Sequence, residues 1–126
     1  MQIPIGQTGH ARTTVTETQT AQAVGSGNLP VFGTPMMVAL MEAAACDALS
    51  GILEPGQTSV GTTVNITHVA ATALGGEVTA TAEVTAVDGR KISFALSAAD
   101  GKGPIGHGTH DRFVVDAARF MEKLNG

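Results

Sequence analysis

The chain has 126 residues, a length that suits one domain over residues 1–126, and 43% of them are apolar against only 14% charged. A net charge of −4, seven thinly spread basic residues and the lack of Trp and Tyr exclude a basic stripe or a stacking platform for nucleic acid. The single cysteine, Cys46, excludes an internal disulfide and a cysteine-based zinc site, and no apolar run approaches the roughly 20 residues that span a bilayer.

Residues 1–10 have no basic segment followed by an apolar run, so no signal peptide is expected. With one cysteine, this reads as a reducing, cytoplasmic setting. Residues 12–20, RTTVTETQT, are threonine-rich and polar, which predicts an edge strand. Residues 21–30, AQAVGSGNLP, carry two glycines, Ser26, Asn28 and a proline, and read as a loop long enough to act as a lid.

Thr34-Pro35 then opens MMVALMEAAACDALSGIL. Thr34 suits a helix N-cap and Pro35 the first helical position. The Ala, Leu and Met residues favour helix, and Glu54-Pro55-Gly56 ends it past Gly51. Only Glu42 and Asp47 are charged between Met36 and Leu53, so this helix is expected to be buried.

The period then changes to two. Thr58, Val60, Thr62, Val64, Ile66 and His68 form the more apolar side of a strand and should face the core. A second strand spans about residues 76–87, with Val78, Ala80, Ala82, Val84 and Ala86 alternating against polar neighbours. Asp88-Gly89 marks a hairpin. Ile92, Phe94, Leu96 and Ala98 share one side of a third strand. After a turn at 100–103, a fourth strand runs over about residues 105–115, and a short helix over 116–124.

One long apolar helix needs a large cover, and a curved antiparallel sheet wrapped around it is the economical solution: an α+β, hot-dog arrangement. The low charge suggests that part of the surface is an interface, so a homodimer or dimer of dimers is expected.

Three residues stand out chemically. Glu42 is a carboxylate among apolar neighbours, where leaving it unpaired costs several kcal/mol. It therefore needs a partner, a proton or a cleft, and it suits a base or nucleophile; equally, it could reach solvent or pair with an arginine. His68 lies on the predicted inward side of its strand, from which it could approach Glu42 and shuttle protons; a core histidine bonded to a carbonyl is the alternative. Thr34 caps the helix, and the same place puts its hydroxyl at the positive end of the helix dipole. His10 lies near the terminus, and His107 and His110 occupy opposite faces of the glycine-rich fourth strand, so these are less attractive.

Thr34, Glu42 eight residues later and His68 twenty-six beyond resemble the Thr–Glu–His triad of the fluoroacetyl-CoA thioesterase family. The surrounding VFGTPMMVALMEAAACDAL, VGTTVNITHVAAT and GTHDR segments resemble it too, from about Val31 onward. The resemblance implies hydrolysis of an acyl-CoA thioester with no cofactor and no metal. Glu42 would be nucleophile or general base, Thr34 nucleophile or positioner, and His68 the acid–base partner. Gly61 and Arg112 match positions near the acyl group, although a strand bulge and a surface ion pair would also explain them. Fluoroacetyl-specific members close the pocket with phenylalanine in the lid; residues 21–30 have none and Phe32 is the nearest, which implies a different short acyl group. A hot-dog hydratase or dehydratase, and a non-catalytic acyl-CoA-binding protein, are the alternatives.

Overall fold

The computed structural model describes residues 2–126. Five strands, β1 (Thr8–Thr14), β2 (Gln57–His68), β3 (Glu77–Asp88), β4 (Lys91–Asp100) and β5 (Gly103–Asp116), form one antiparallel sheet in the order β1-β3-β4-β5-β2. A short helix α1 (Ala21–Val24) precedes the long helix α2 (Thr34–Leu49), and α3 (Ala117–Asn125) ends the chain. α2 lies across one face of the sheet, mainly over β1 and β3. This is the expected hot-dog arrangement.

The core is the layer between α2 and the sheet. Met37, Met41, Ala44, Ala45, Ala48 and Leu49 of α2 are buried against Val78, Ala80, Ala82 and Val84 of β3 and Ile92, Phe94, Leu96 and Ala98 of β4. These are the inward sets that strict alternation predicts. Ala86 departs from its set and is exposed, because a bulge between Val84 and Ala86 breaks the alternation. Small side chains let the layers close: a Cβ on Gly9 would collide with the backbone of Ala44 and Ala48, so β1 lies directly on α2.

Four local expectations need correction. The first strand begins at Thr8 and stops at Thr14, not at Thr20. Beyond it, side chains take over the backbone's hydrogen bonds: Gln19 accepts from the Thr16 amide at 2.9 Å, and Thr20 accepts from the Ala23 amide at 3.1 Å. The second of these caps α1, so the expected lid loop begins as a helical turn. Third, the N-cap of α2 is Gly33, and Thr34 is already helical. Fourth, α2 is not wrapped on all sides: Pro35, Ala39, Ala43 and Cys46 form an exposed face of small side chains.

The segment after β2 is anchored from the β4–β5 turn. The buried hydroxyl of Thr72 donates to Asp100 at 2.7 Å, and the Lys102 amide donates to the same carboxylate at 2.8 Å. Both bonds favour the ionised form, and Asp100 titrates below the ordinary 3.8. A lowered carboxyl pKa contributes stability above 3.8 that is lost as pH falls through the folded value. Thr72→Val is therefore expected to lower Tm at pH 7, with the gap to wild type closing below pH 3.8 in thermal melts.

Candidate active site

β2 and β5 build the site between them. In antiparallel strands, paired residues share a face. Gly61 pairs with Arg112, Val64 with His110 and His68 with Gly106. A bulge between Gly61 and Thr63 reverses the alternation along β2. Ser59 and Gly61 therefore face α2 before it, and Val64, Ile66 and His68 after it. The expectation of one even-numbered inward side holds only beyond the bulge; Thr58 and Val60 point away.

The bulge turns Gly61 toward Glu42. A Cβ on residue 61 would lie 2.6 Å from Glu42 Oε2, 3.2 Å from His110 Cε1 and 3.4 Å from Arg112 Nη1. Glycine is what lets the carboxylate rest against the strand. The Glu42 side chain is 37% exposed, and its Oε2 accepts from Arg112 Nη1 at 3.2 Å.

Arg112 is only 6% exposed. A buried guanidinium needs acceptors for its fork of donors. Its Nε donates to Ser59 Oγ at 2.8 Å, and its Nη2 to the Ser59 carbonyl at 3.0 Å. His110 Nε2 lies 3.1 Å from Nη1 and 4.0 Å from Glu42 Oε2. Arg112 is thus held by β2 and holds the carboxylate; it is not a surface ion pair.

The other two residues of the expected triad meet at the N-terminal end of α2. The Thr34 hydroxyl is 2.8 Å from His68 Nδ1. Because Gly33 is the cap, this hydroxyl is free for the histidine at the positive end of the helix. Thr34 and His68 line a cavity of about 290 Å³ together with Ala21, Phe32 and Val69. Phe32, 2% exposed, forms part of its wall. His68 Nε2 is buried without a hydrogen-bond partner. Desolvation lowers the His68 pKa from 6.5, and the Ala70 backbone opposes part of that shift.

The expected approach of His68 to Glu42 does not occur within one chain. Glu42 bonds Arg112, and His68 bonds Thr34. The reason is length: eight residues of helix separate Thr34 from Glu42 by about 12 Å. Sequence reasoning set His110 aside and missed Ser59. The available signal was His110-x-Arg112, two residues apart and so on one face of a strand. Among the described residues, no group of three or more His, Cys, Asp or Glu side chains is arranged to hold a metal ion, and no helix is long and apolar enough to cross a membrane.

Comparison with known proteins agrees with this fold. The family model for fluoroacetyl-CoA-specific thioesterase matches residues 15–118. Fluoroacetyl-CoA thioesterase of Streptantibioticus cattleyicolor is 48% identical over 94 residues, covering 75% of this chain and 68% of the relative. A solved structure of the fluoroacetyl-CoA thioesterase FlK superposes with a TM-score of 0.92 at 37% identity, over 99% of this chain and 97% of that one. A Thermus thermophilus thioesterase superfamily member superposes at 0.91 with 26% identity, over 98% of this chain and 92% of its own.

Proposed function

Because the chain belongs to the fluoroacetyl-CoA-specific thioesterase family, we propose that it hydrolyses a short-chain acyl-CoA to the free acid and CoA, with Glu42 as the reacting carboxylate. The observation that carries this reading is the Glu42 carboxylate itself, held by a buried arginine and 37% exposed on its other side. As general base, Glu42 takes a proton from water while the water oxygen bonds the thioester carbon. As nucleophile, it bonds that carbon first and water releases the acid afterwards. On either route the C–S bond breaks with its electron pair on sulfur, and the thiolate takes up a proton. Thr34, at the positive end of α2, stabilises the carbonyl oxyanion, and His68 exchanges the proton. Water is the only co-reactant, so no cofactor and no metal are required.

The distance between Glu42 and the Thr34–His68 pair favours a site shared by two copies. β2 is an open edge strand with Val64 38% exposed, and the bare Ala39–Ala43 face of α2 lies on the same side of the sheet. Pairing β2 antiparallel with its copy about a two-fold axis near Val64, with the extra residue of the bulge counted, brings His68 of the partner subunit opposite Ser59, beside Gly61 and Glu42. Such a homodimer completes the triad across its interface, in the cytoplasmic setting the sequence suggests. Phe32 walls the acyl pocket in this reading, and the phenylalanine-free segment before it suits a short acyl group other than fluoroacetyl.

Mixing the inactive variants Glu42→Gln and His68→Ala tests the shared site. Random reassortment makes half the dimers heterodimers, each with one native site of two, so activity should return to about a quarter of wild type. No recovery, with heterodimers verified by mass, would place all three residues of each site in one chain.

The lowered His68 pKa gives a second expectation. In the single chain neutral His68 persists below pH 6.5, and the carboxylate of the partner's Glu42 beside the ring would raise that value; the acid limb of kcat/KM, absent in His68→Asn, should therefore lie higher in the shared site than in a site within one chain. For the single chain the unfolded state binds the extra proton between the folded value and 6.5, so stability rises with pH across that window. A limb unaffected by His68→Asn would count against His68 as the titrating group.

A further inference from the structure

We propose that His110 is the positioning residue for the reacting carboxylate: its Nε2 fixes Arg112, and Arg112 fixes Glu42. The inference rests on Glu42 being the carboxylate that reacts.

The hydrogen bonds of His110 assign its tautomer. The ring is 1% exposed, and its Nδ1 lies 2.7 Å from the Thr63 carbonyl. A carbonyl only accepts, so Nδ1 carries the hydrogen. Nε2 lies 3.1 Å from Arg112 Nη1, which only donates, so Nε2 carries the lone pair. The two bonds together select one neutral tautomer. A second proton on the ring would set an N–H against the Arg112 N–H.

The consequence for Glu42 is geometric. Arg112 Nη1 has two hydrogens, and its two acceptors are His110 Nε2 and Glu42 Oε2. With Nε and Nη2 held by Ser59, the His110 lone pair completes the orientation of the planar guanidinium and so of the N–H aimed at the carboxylate. The ring plane is set by stacking on Phe94, with centroids 5.9 Å apart and 29° between planes. The same ring grips the bulge, since Thr63 directly follows the register shift that turns Gly61 inward. A histidine that only filled the core would need a partner for Nδ1, but nothing would demand a lone pair facing the guanidinium.

Two substitutions separate these roles. His110→Asn keeps an amide donor near Nδ1 and removes the acceptor at Nε2. His110→Gln keeps an acceptor near Nε2. We expect His110→Asn to lower kcat about 10- to 100-fold with KM little changed, and His110→Gln to restore kcat to within about threefold of wild type. Equal losses in both variants, or a change in KM alone, would overturn the proposal. Nitrogen NMR of the wild-type imidazole applies even if the variants do not fold: its neutral form should show a protonated Nδ1 and a bare Nε2, and the reverse tautomer would overturn the proposal. Glu42→Gln measured alongside separates the two readings. Its full activity would overturn the role of Glu42 and this inference with it; its loss beside a fully active His110→Asn would overturn the role of His110 alone.

Discussion

Glu42→Gln is expected to lower kcat by about 10²- to 10⁴-fold, the range that a positioned base contributes, while the fold survives. The substitution keeps the side chain's length and an oxygen for Arg112 Nη1, so the contacts that bind β5 to α2 persist. What disappears is the negative charge and the ability to take a proton or attack carbon. Because the Glu42 side chain is 37% exposed and contributes none of the buried core, thermal melts should change little. A drop in kcat with Tm preserved is the signature of a chemical role; a matched loss of both would mean that Glu42 serves chiefly as the counter-charge of Arg112.

Gly61→Ala should be nearly as damaging to turnover and equally mild for stability. Its new Cβ would come within 2.6 Å of Glu42 Oε2, the far end of a flexible side chain, so the carboxylate yields rather than the backbone. The fold should stay within about 1 kcal/mol of wild type, because alanine also restricts the unfolded chain more than glycine does. The displaced carboxylate loses its alignment with Arg112, and an ångström of misplacement costs about 100-fold in rate. Steady-state kinetics beside a thermal melt decides the matter: a variant that keeps wild-type kcat would show that the glycine serves the bulge and not the carboxylate.

The fold was legible wherever one physical signal dominated. Alternation in β3 and β4 predicted their inward residues because both faces of those strands meet uniform surroundings for most of their length. The apolar run of residues 36–53 predicted α2, and its length demanded a curved sheet as cover. What could not be read were breaks in periodicity. The bulge after Gly61 leaves no mark in an alternating threonine-rich segment, yet it decides which side chains of β2 face the helix. Polar side chains that bond the local backbone shortened the first strand at Thr14, where β propensity alone would continue it.

The site was legible in part for similar reasons. Glu42 stood out as a charge without an apparent partner, and Arg112 became its partner only once β5 was paired with β2. Thr34 and His68 are 34 residues apart and meet at 2.8 Å, which the inward side of β2 foreshadowed. His107 and His110 lie on opposite faces of β5, which gives His110 no role; its role follows from sharing a face with Arg112, two residues on. Separation of Glu42 from Thr34 follows from eight residues of helix, whereas the seating of His68 with Thr34 rather than with Glu42 belongs to the tertiary fold.

The most direct test of thioester hydrolysis is release of free thiol when the wild-type protein meets acetyl-, propionyl- and butyryl-CoA, followed alongside the absorbance of an enoyl-CoA. Thiol and free acid are expected in equal amounts for at least one of the short acyl-CoA esters, slowed about 10²- to 10⁴-fold in Glu42→Gln, with the enoyl double bond left intact. Loss of enoyl conjugation without thiol release, or tight CoA-ester binding with no thiol after hours, would contradict thioester hydrolysis.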